Sequence, residues 1–587
     1  MKFKVIPKWK SNDLKKEITF FYQRLDELLF DYTLDSYKPR MMSPPFLAIE
    51  LIKTINDVEK DTINEKNIDH IINELRLFIE NDKIAQRLLP LPIERILPNQ
   101  SNNSKNPNIK VKAQILSKSI RNQLYIKVCQ DFIIESISNN KLSDIDIYAS
   151  FFITSIIGAG YSKQYVYSKT NDFFMQEEID GTQSILDYFN LFDRTRNKYT
   201  CYIKVNDTAE HIPSQLSLFN VEIIDELPDS LKNDELFNSV FNSEENYKIV
   251  KLSDIIACDI HRAKENSEEV IRVISDLYSV FHHKNKIQWN RENSLIIDEN
   301  NKTYNATKET NVILRGRDLK PARASKEFDR LLRSFSLMGR KSSIQTFRGV
   351  VSLHGIALLT DNPQNQLLNL WIALETVCPD KKKSKIESIS DGVSSILFIK
   401  YLKKLVANHA RDINRYKSSI LKKYAKEDDL DIVHTCFNTL ALSKHEGRRD
   451  ELTSSLSAYP LLEYRTQQLT KLLCSKKSAL EAIDKHIQRV EWQIRRTYRT
   501  RNIIVHSGQR IRNIDQLVEN THSYLDNILE TTMELSCGDL NFDDFDQVFE
   551  YCKQQQEELR ETLQQDGHIS ENDIEFILGV ERRSPPL

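Results

Sequence analysis

The constraint that weighs most on this chain is a row of side chains near its C-terminal third. Val505, Arg501, Tyr498, Ile494, Val490, Ile487 and Ile483 recur at three- and four-residue steps. That spacing lines one face of an α-helix, the face that packs on a core. Every position but one is apolar or aromatic. The exception, Arg501, lies where the row should end, because "RNIIVHSG" closes on Gly508, a residue suited to stopping a helix in the left-handed conformation. Ser478 followed by Glu481 reads as a capping box at the other end. The span predicts a helix of roughly 28 residues, about 42 Å long. An arginine on a core stripe either snorkels to water or faces an anion.

A helix of this length fits the rest of the sequence. The chain has 587 residues, enough for roughly two to four domains. Only 13 Gly and 16 Pro occur, which favours long helices over turn-rich β architecture. Residues 1–160 read as mostly helical, broken by the polar linker "PNQSNNSKNPN" at 98–108. Residues 161–322 read as a small α+β domain. Strand character is assigned to "YVYS", "KYTCYIKV", "NVEIID", "YKIVKLSDIIACD", "KIQW" and "SLIID". These surround one helix with Val270, Ile274, Leu277 and Phe281 on a single face. Residues 323–538 read as a helical bundle and 539–587 as a helical tail. The fold class is therefore mainly α, with a small α+β insertion ahead of the bundle.

A formal charge of −2 excludes a globally basic nucleic-acid binder, so any such surface is local. The eight cysteines show no CxxC or zinc spacing and read as reduced thiols. There is no phosphate-binding glycine loop and no HExxH, so no cofactor or metal is expected. The start lacks a signal-peptide pattern, and runs such as "ASFFITSIIGAG" fall short of a bilayer span. The expectation is a soluble cytoplasmic protein without membrane attachment.

The strongest local charge asymmetry lies on the long helix and just past it. Arg489, Arg495, Arg496, Arg499, Arg501, Arg510 and Arg512 face a single acid, Glu491. Arg495, Arg496 and Arg499 point away from the apolar stripe. They are either a solvated face or, together with Arg510, a surface for RNA phosphates. His506 follows Arg501-Asn502 and three apolar residues, at a helix end from which an imidazole can reach outward. His354, behind Arg348 in "RGVVSLH", lies within an apolar helix and reads as a satisfied core or boundary histidine. Glu375 stands in a helix apolar almost all round, with Leu370, Trp371, Ile372, Leu374 and Val377. It is either an edge position open to water or the partner of an arginine.

Two of these segments together resemble a known family. "RNIIVHSG" resembles the Arg-polar-x(3–5)-His motif of HEPN-domain ribonucleases. "LLNLWIALETV", with Leu374-Glu375, resembles a helix of ApeA-like HEPN domains of the bacterial anti-phage, abortive-infection type. The resemblance covers roughly 325–535. It implies a dimerising helical bundle whose paired motifs line one cleft, and metal-independent RNA cleavage as a defence effector or toxin. About 125 residues separate Glu375 from Arg501, which implies helices inserted around 385–470.

Metal-free RNA cleavage needs a base for the ribose 2′-OH, an acid for the leaving 5′-oxygen, and donors on the phosphate. His506 suits the proton work and Arg501 the phosphate. Asn502 is an i,i+4 neighbour of His506 and could orient the ring or the RNA, and Glu375 could fix Arg501 or the neighbouring arginines. One motif holds one histidine, so a homodimer would complete the acid–base pair. RNA, tRNA or mRNA among the candidates, is the expected partner, and the N-terminal region would receive a phage-derived or other trigger. The alternative is a catalytically inactive HEPN-like bundle that dimerises or binds RNA as a scaffold.

Overall fold

The computed structural model describes residues 9, 14–31, 33, 37–97, 107–193, 196–211, 216, 220–228, 231, 241, 247–315, 319–334, 341–379, 384–508, 511 and 514–579. The chain is mainly helical with one small antiparallel sheet. One continuous apolar core runs from Ile18 to Leu578. It takes in helices α1 (Lys15–Leu29), α2 (Pro44–Glu59), α3 (Lys66–Glu80), α4 (Leu142–Ala159) and α5 (Lys163–Gln176) from the N-terminal part. It also takes in α7 (Lys341–Leu359), α8 (Pro363–Val377), α9 (Lys385–Tyr416), α10 (Pro460–Leu473), α11 (Lys476–Ser507) and α12 (Asp515–Ser536). The stretch expected to hold inserted helices is helical and belongs to this core, with Phe398, Phe437 and Leu461 fully buried.

Helix α1 is an interior helix. Phe20, Phe21, Leu25 and Leu28 are sealed, and so are Arg24 and Glu27. Buried charges of this kind persist only when paired. Arg24 donates to Glu27 Oε2 at 2.6 Å, and Arg465 of α10 donates to the same oxygen at 2.9 Å. Asp146 of α4 completes the cluster, 3.3 Å from Arg465 Nη1. Burial raises the Asp146 carboxyl, but Arg465 and Arg24 outweigh it and hold the group below its ordinary range. Helix α4 has the length and apolar character of a membrane span. Its Ile145, Phe152 and Ile153 are fully buried in the shared core.

The sheet has strand order β2-β3-β1-β4-β5, from β1 (Asn197–Val205), β2 (Val221–Ile224), β3 (Lys248–Ala257), β4 (Asn293–Ile297) and β5 (Thr303–Thr307). All pairings are antiparallel. Helix α6 (Ile260–Phe281) lays Ile271, Val270 and Ile274 on Ile203 and Val250. Three expectations shift here. "YVYS" lies in α5, not in a strand, because aromatic and branched residues serve a buried helix equally well. "KIQW" yields only an isolated bridge, Val205 to Trp289. Leu277 and Phe281 continue the α6 stripe but are 61% and 89% exposed.

Asp259 fastens this sheet region to the helical part. Its Oδ1 accepts from the His261 and Arg262 amides, capping α6, and from Ser162 Oγ at 2.9 Å. Its Oδ2 accepts from the Ser162 amide at the start of α5 at 2.8 Å. One buried carboxylate thus satisfies the first turns of two helices.

Burial also sets the pH dependence of stability. His409 is sealed beside Thr466, 3.0 Å away, and burial, with Arg465 adding, pushes its pKa down to about 3. The folded state therefore refuses a proton that the unfolded chain accepts below about pH 6.5. This contribution is fully present above that pH and is lost as the pH falls toward about 3. The slope is up to ~1.4 kcal/mol per pH unit for one such imidazole. Urea unfolding at pH 7, 6 and 5 should show wild type losing stability faster than His409→Gln. Parallel losses would remove His409 from the account.

Candidate functional site

The long helix is real and longer than its sequence signals suggest. Helix α11 has 32 residues. Ser475 caps it by accepting from the Ser478 amide, and Ser478 returns the bond, so the capping box sits three residues before the expected Ser478/Glu481 pair. Gly508 ends it at φ 61° with its N–H on the Ile504 carbonyl. Ile483, Val490 and Ile494 are buried, Tyr498 and Arg501 half-buried, and Val505 is 51% exposed. The stripe thus climbs out of the core over its last two turns, and Arg501 stands at the point of emergence.

Arg501 meets the carboxylate that its position calls for. Glu375 Oε2 of α8 lies 3.8 Å from Arg501 Nη2. Glu375 Oε1 accepts from Trp371 Nε1 at 2.7 Å. Trp371 is sealed and packs its ring against Tyr498, centroids 5.9 Å apart. The apolar row therefore aims the tryptophan, the tryptophan aims the carboxylate, and the carboxylate holds the arginine. Arg501 Nη1 also donates to Asn502 Oδ1 at 3.0 Å. That bond directs the buried Asn502 amide oxygen to Arg501, where the sequence suggested the His506 ring. His506 is exposed on the last turn, beside exposed Val505.

The remaining arginines are placed differently from the expectation. Arg496 and Arg499 are buried, at 4% and 3% exposure. Arg496 donates to Glu50 of α2 at 3.0 Å and to Glu74 of α3 at 2.8 Å, and Arg499 donates to Glu50 at 2.8 Å. Arg495 Nη1 lies 2.8 Å from His70 Nε2. Neither the solvated face nor an RNA surface describes Arg496 and Arg499, which lock α11 to the N-terminal helices. Beyond Trp492, which packs on Phe78 of α3, this face is buried largely through charge, so hydrophobic periodicity gives little sign of it. Burial raises the Glu50 carboxyl, yet the two guanidinium groups overcome it and hold Glu50 low. Glu74 stays raised, with burial first and its neighbour Glu50 adding to it. Arg510 lies outside the described residues.

Other polar groupings went unnoticed in the sequence. His354 is half-buried, as a boundary histidine should be, but it faces His522 and Asp526 of α12. The His522-x3-Asp526 spacing was the legible half of that cluster. A cavity of about 500 Å³ lies where the sheet region meets the bundle, lined in part by Arg262, Glu265, Glu309, Arg315 and Asp515. Burial, against the opposing pull of Arg262, pushes the Glu265 carboxyl up to about 7.

No protein-family model, curated protein or solved structure matches the chain.

The arginine cluster gives a direct test. Removing Arg496 strands Glu74 and leaves Glu50 with one partner, so Arg496→Ala should cost about 3–5 kcal/mol in urea unfolding. Glu375→Gln, at a half-exposed pair, should cost less than about 1 kcal/mol. Equal losses for the two variants would contradict the difference in burial.

Proposed function

We propose that the chain is an endoribonuclease of HEPN type, cleaving RNA by 2′-OH attack without a metal in the chemistry. The observation that supports this reading is the Trp371–Glu375–Arg501 relay, which sets a guanidinium at the mouth of the core on the same helix end as an exposed His506. Arg501 supplies charged donors to a phosphate, and RNA phosphate replaces Glu375 as its partner. His506 is the acid–base group. Glu375 and Asn502 position Arg501.

One histidine cannot be base and acid in a single step, so the active unit is a homodimer with two such helix ends facing one cleft. Exposed Val505 beside His506, and exposed Ile372 one turn before Glu375, give that cleft an apolar rim. The protein acts as an anti-phage or toxin effector in the cytoplasm, controlled through the N-terminal region. The buried Arg496–Glu50 link supports such control, since it joins the N-terminal helices to the helix that carries the site.

A second reading, an inactive HEPN-like scaffold, gains from the same cluster. With Arg496 and Arg499 consumed inside the fold, the basic track for RNA is shorter than the sequence implied.

Cleavage assays separate the two. Wild type should cleave RNA in EDTA, while Arg501→Ala and His506→Ala should lose at least about 100-fold in rate with unchanged circular dichroism. Full activity in both folded variants, or an inert wild type, would leave the scaffold.

A further inference from the structure

Helices α7 and α12 bring three ligating side chains to one point. His354 Nε2 and His522 Nε2 are 3.0 Å apart, with the rings within 13° of parallel. Asp526 lies one turn beyond His522 on α12. Its Oδ1 is 3.3 Å from His354 Nε2 and its Oδ2 is 3.4 Å from His522 Nδ1. One ligand atom from each residue lies within 4.8 Å of the other two.

These separations match a metal's requirements. A tetrahedral ion with ligands at about 2.0–2.1 Å holds neighbouring ligand atoms about 3.3 Å apart. Two edges of the triangle, 3.0 and 3.3 Å, already sit near that value. Asp526 Oδ2 lies 3.4 Å from His522 Nδ1, the arrangement in which a carboxylate holds that proton and leaves Nε2 for a metal.

The surroundings are those of an accessible but sheltered site. The His354 and His522 side chains are 22% and 14% exposed and Asp526 is 49% exposed. Val350, one turn before His354, and Leu525, next to Asp526, are fully buried. The imidazoles thus rest on the core while the carboxylate opens to solvent, leaving room for water as a fourth ligand.

We propose that His354, His522 and Asp526 form a binding site for a divalent first-row transition ion, with zinc the best fit to two imidazoles and one carboxylate. The ion staples α7 to α12. His354 and His522 are 168 residues apart in the chain, which is why no local spacing joins His354 to the His522-x3-Asp526 pair. The proposal is independent of the ribonuclease reading, whose chemistry uses His506 and Arg501.

The test uses full-length protein stripped with a chelator and dialysed. Zn²⁺ titration should show one site per chain and raise Tm, and Co²⁺ should give the visible absorption of a low-coordinate nitrogen–oxygen site. His354→Gln and His522→Gln keep side chains that hydrogen-bond and should each weaken Zn²⁺ binding at least about 10-fold. Each variant should also abolish the Co²⁺ spectrum, with circular dichroism unchanged. A wild type that takes up neither ion, or uptake undiminished in both variants, would overturn the site. The cluster would then be a hydrogen-bonded His–His–Asp chain only.

Discussion

Two guanidinium groups and two carboxylates, packed between α11 and the pair α2–α3, tie the long helix to the N-terminal helices. Arg496 and Arg499 lie more than 400 residues from Glu50 and Glu74 in the chain, and Arg496, Arg499 and Glu74 are buried while Glu50 is half-buried at the rim. In such surroundings a charge without its partner is far more costly than the pair is favourable. The cluster therefore acts more as a rule than as a spring. Arrangements of the N-terminal helices that misplace Glu50 or Glu74 are heavily penalised. The second cluster, Arg24, Glu27, Asp146 and Arg465, imposes the same rule at α1 and α10.

With the arginine helix fixed along its middle, its last two turns carry the candidate site. Between Ile494 and Val505 the environment of one helix face changes from sealed to open. Arg501 occupies the transition, where a guanidinium keeps access to solvent yet is steered by Glu375, itself steered by Trp371. Rigid supports next to an exposed reactive group are what a positioned acid–base site requires. The order of supports follows from packing: the sealed tryptophan ring is the least movable member, and the exposed histidine the most.

The sequence made the apolar side of this legible. The stripe from Ile483 to Val505, the glycine stop, the mainly α class and four of the five strands could be read from periodicity and residue type. The pairing of Glu375 with Arg501 was one of the readings left open, because an acid in an apolar helix is either at a wet edge or beside an arginine, and its carboxylate lies 3.8 Å from Arg501. What could not be read was burial achieved by charge. Arg496 and Arg499 look solvated in sequence, since nothing local reveals that Glu50 and Glu74 arrive from the far end of the chain. "YVYS" failed for a related reason: a buried helix and a strand accept the same side chains. His354 was placed correctly at a boundary, but its neighbours on α12 were beyond any local pattern.

The continuity of the core gives the boundary near residue 322 a particular meaning. Sequence composition divides the chain there, and the polar stretch at 98–108 invites a second cut. Yet apolar packing and two ion clusters cross both places. A fragment beginning at 323 would carry Arg465, Arg496 and Arg499 with their acids left behind, and a fragment ending at 322 would carry the acids. Neither half is a smaller version of the protein. Among the described residues the segments are separable on paper and interlocked in space, and the N-terminal helices pack directly on the helix that carries His506.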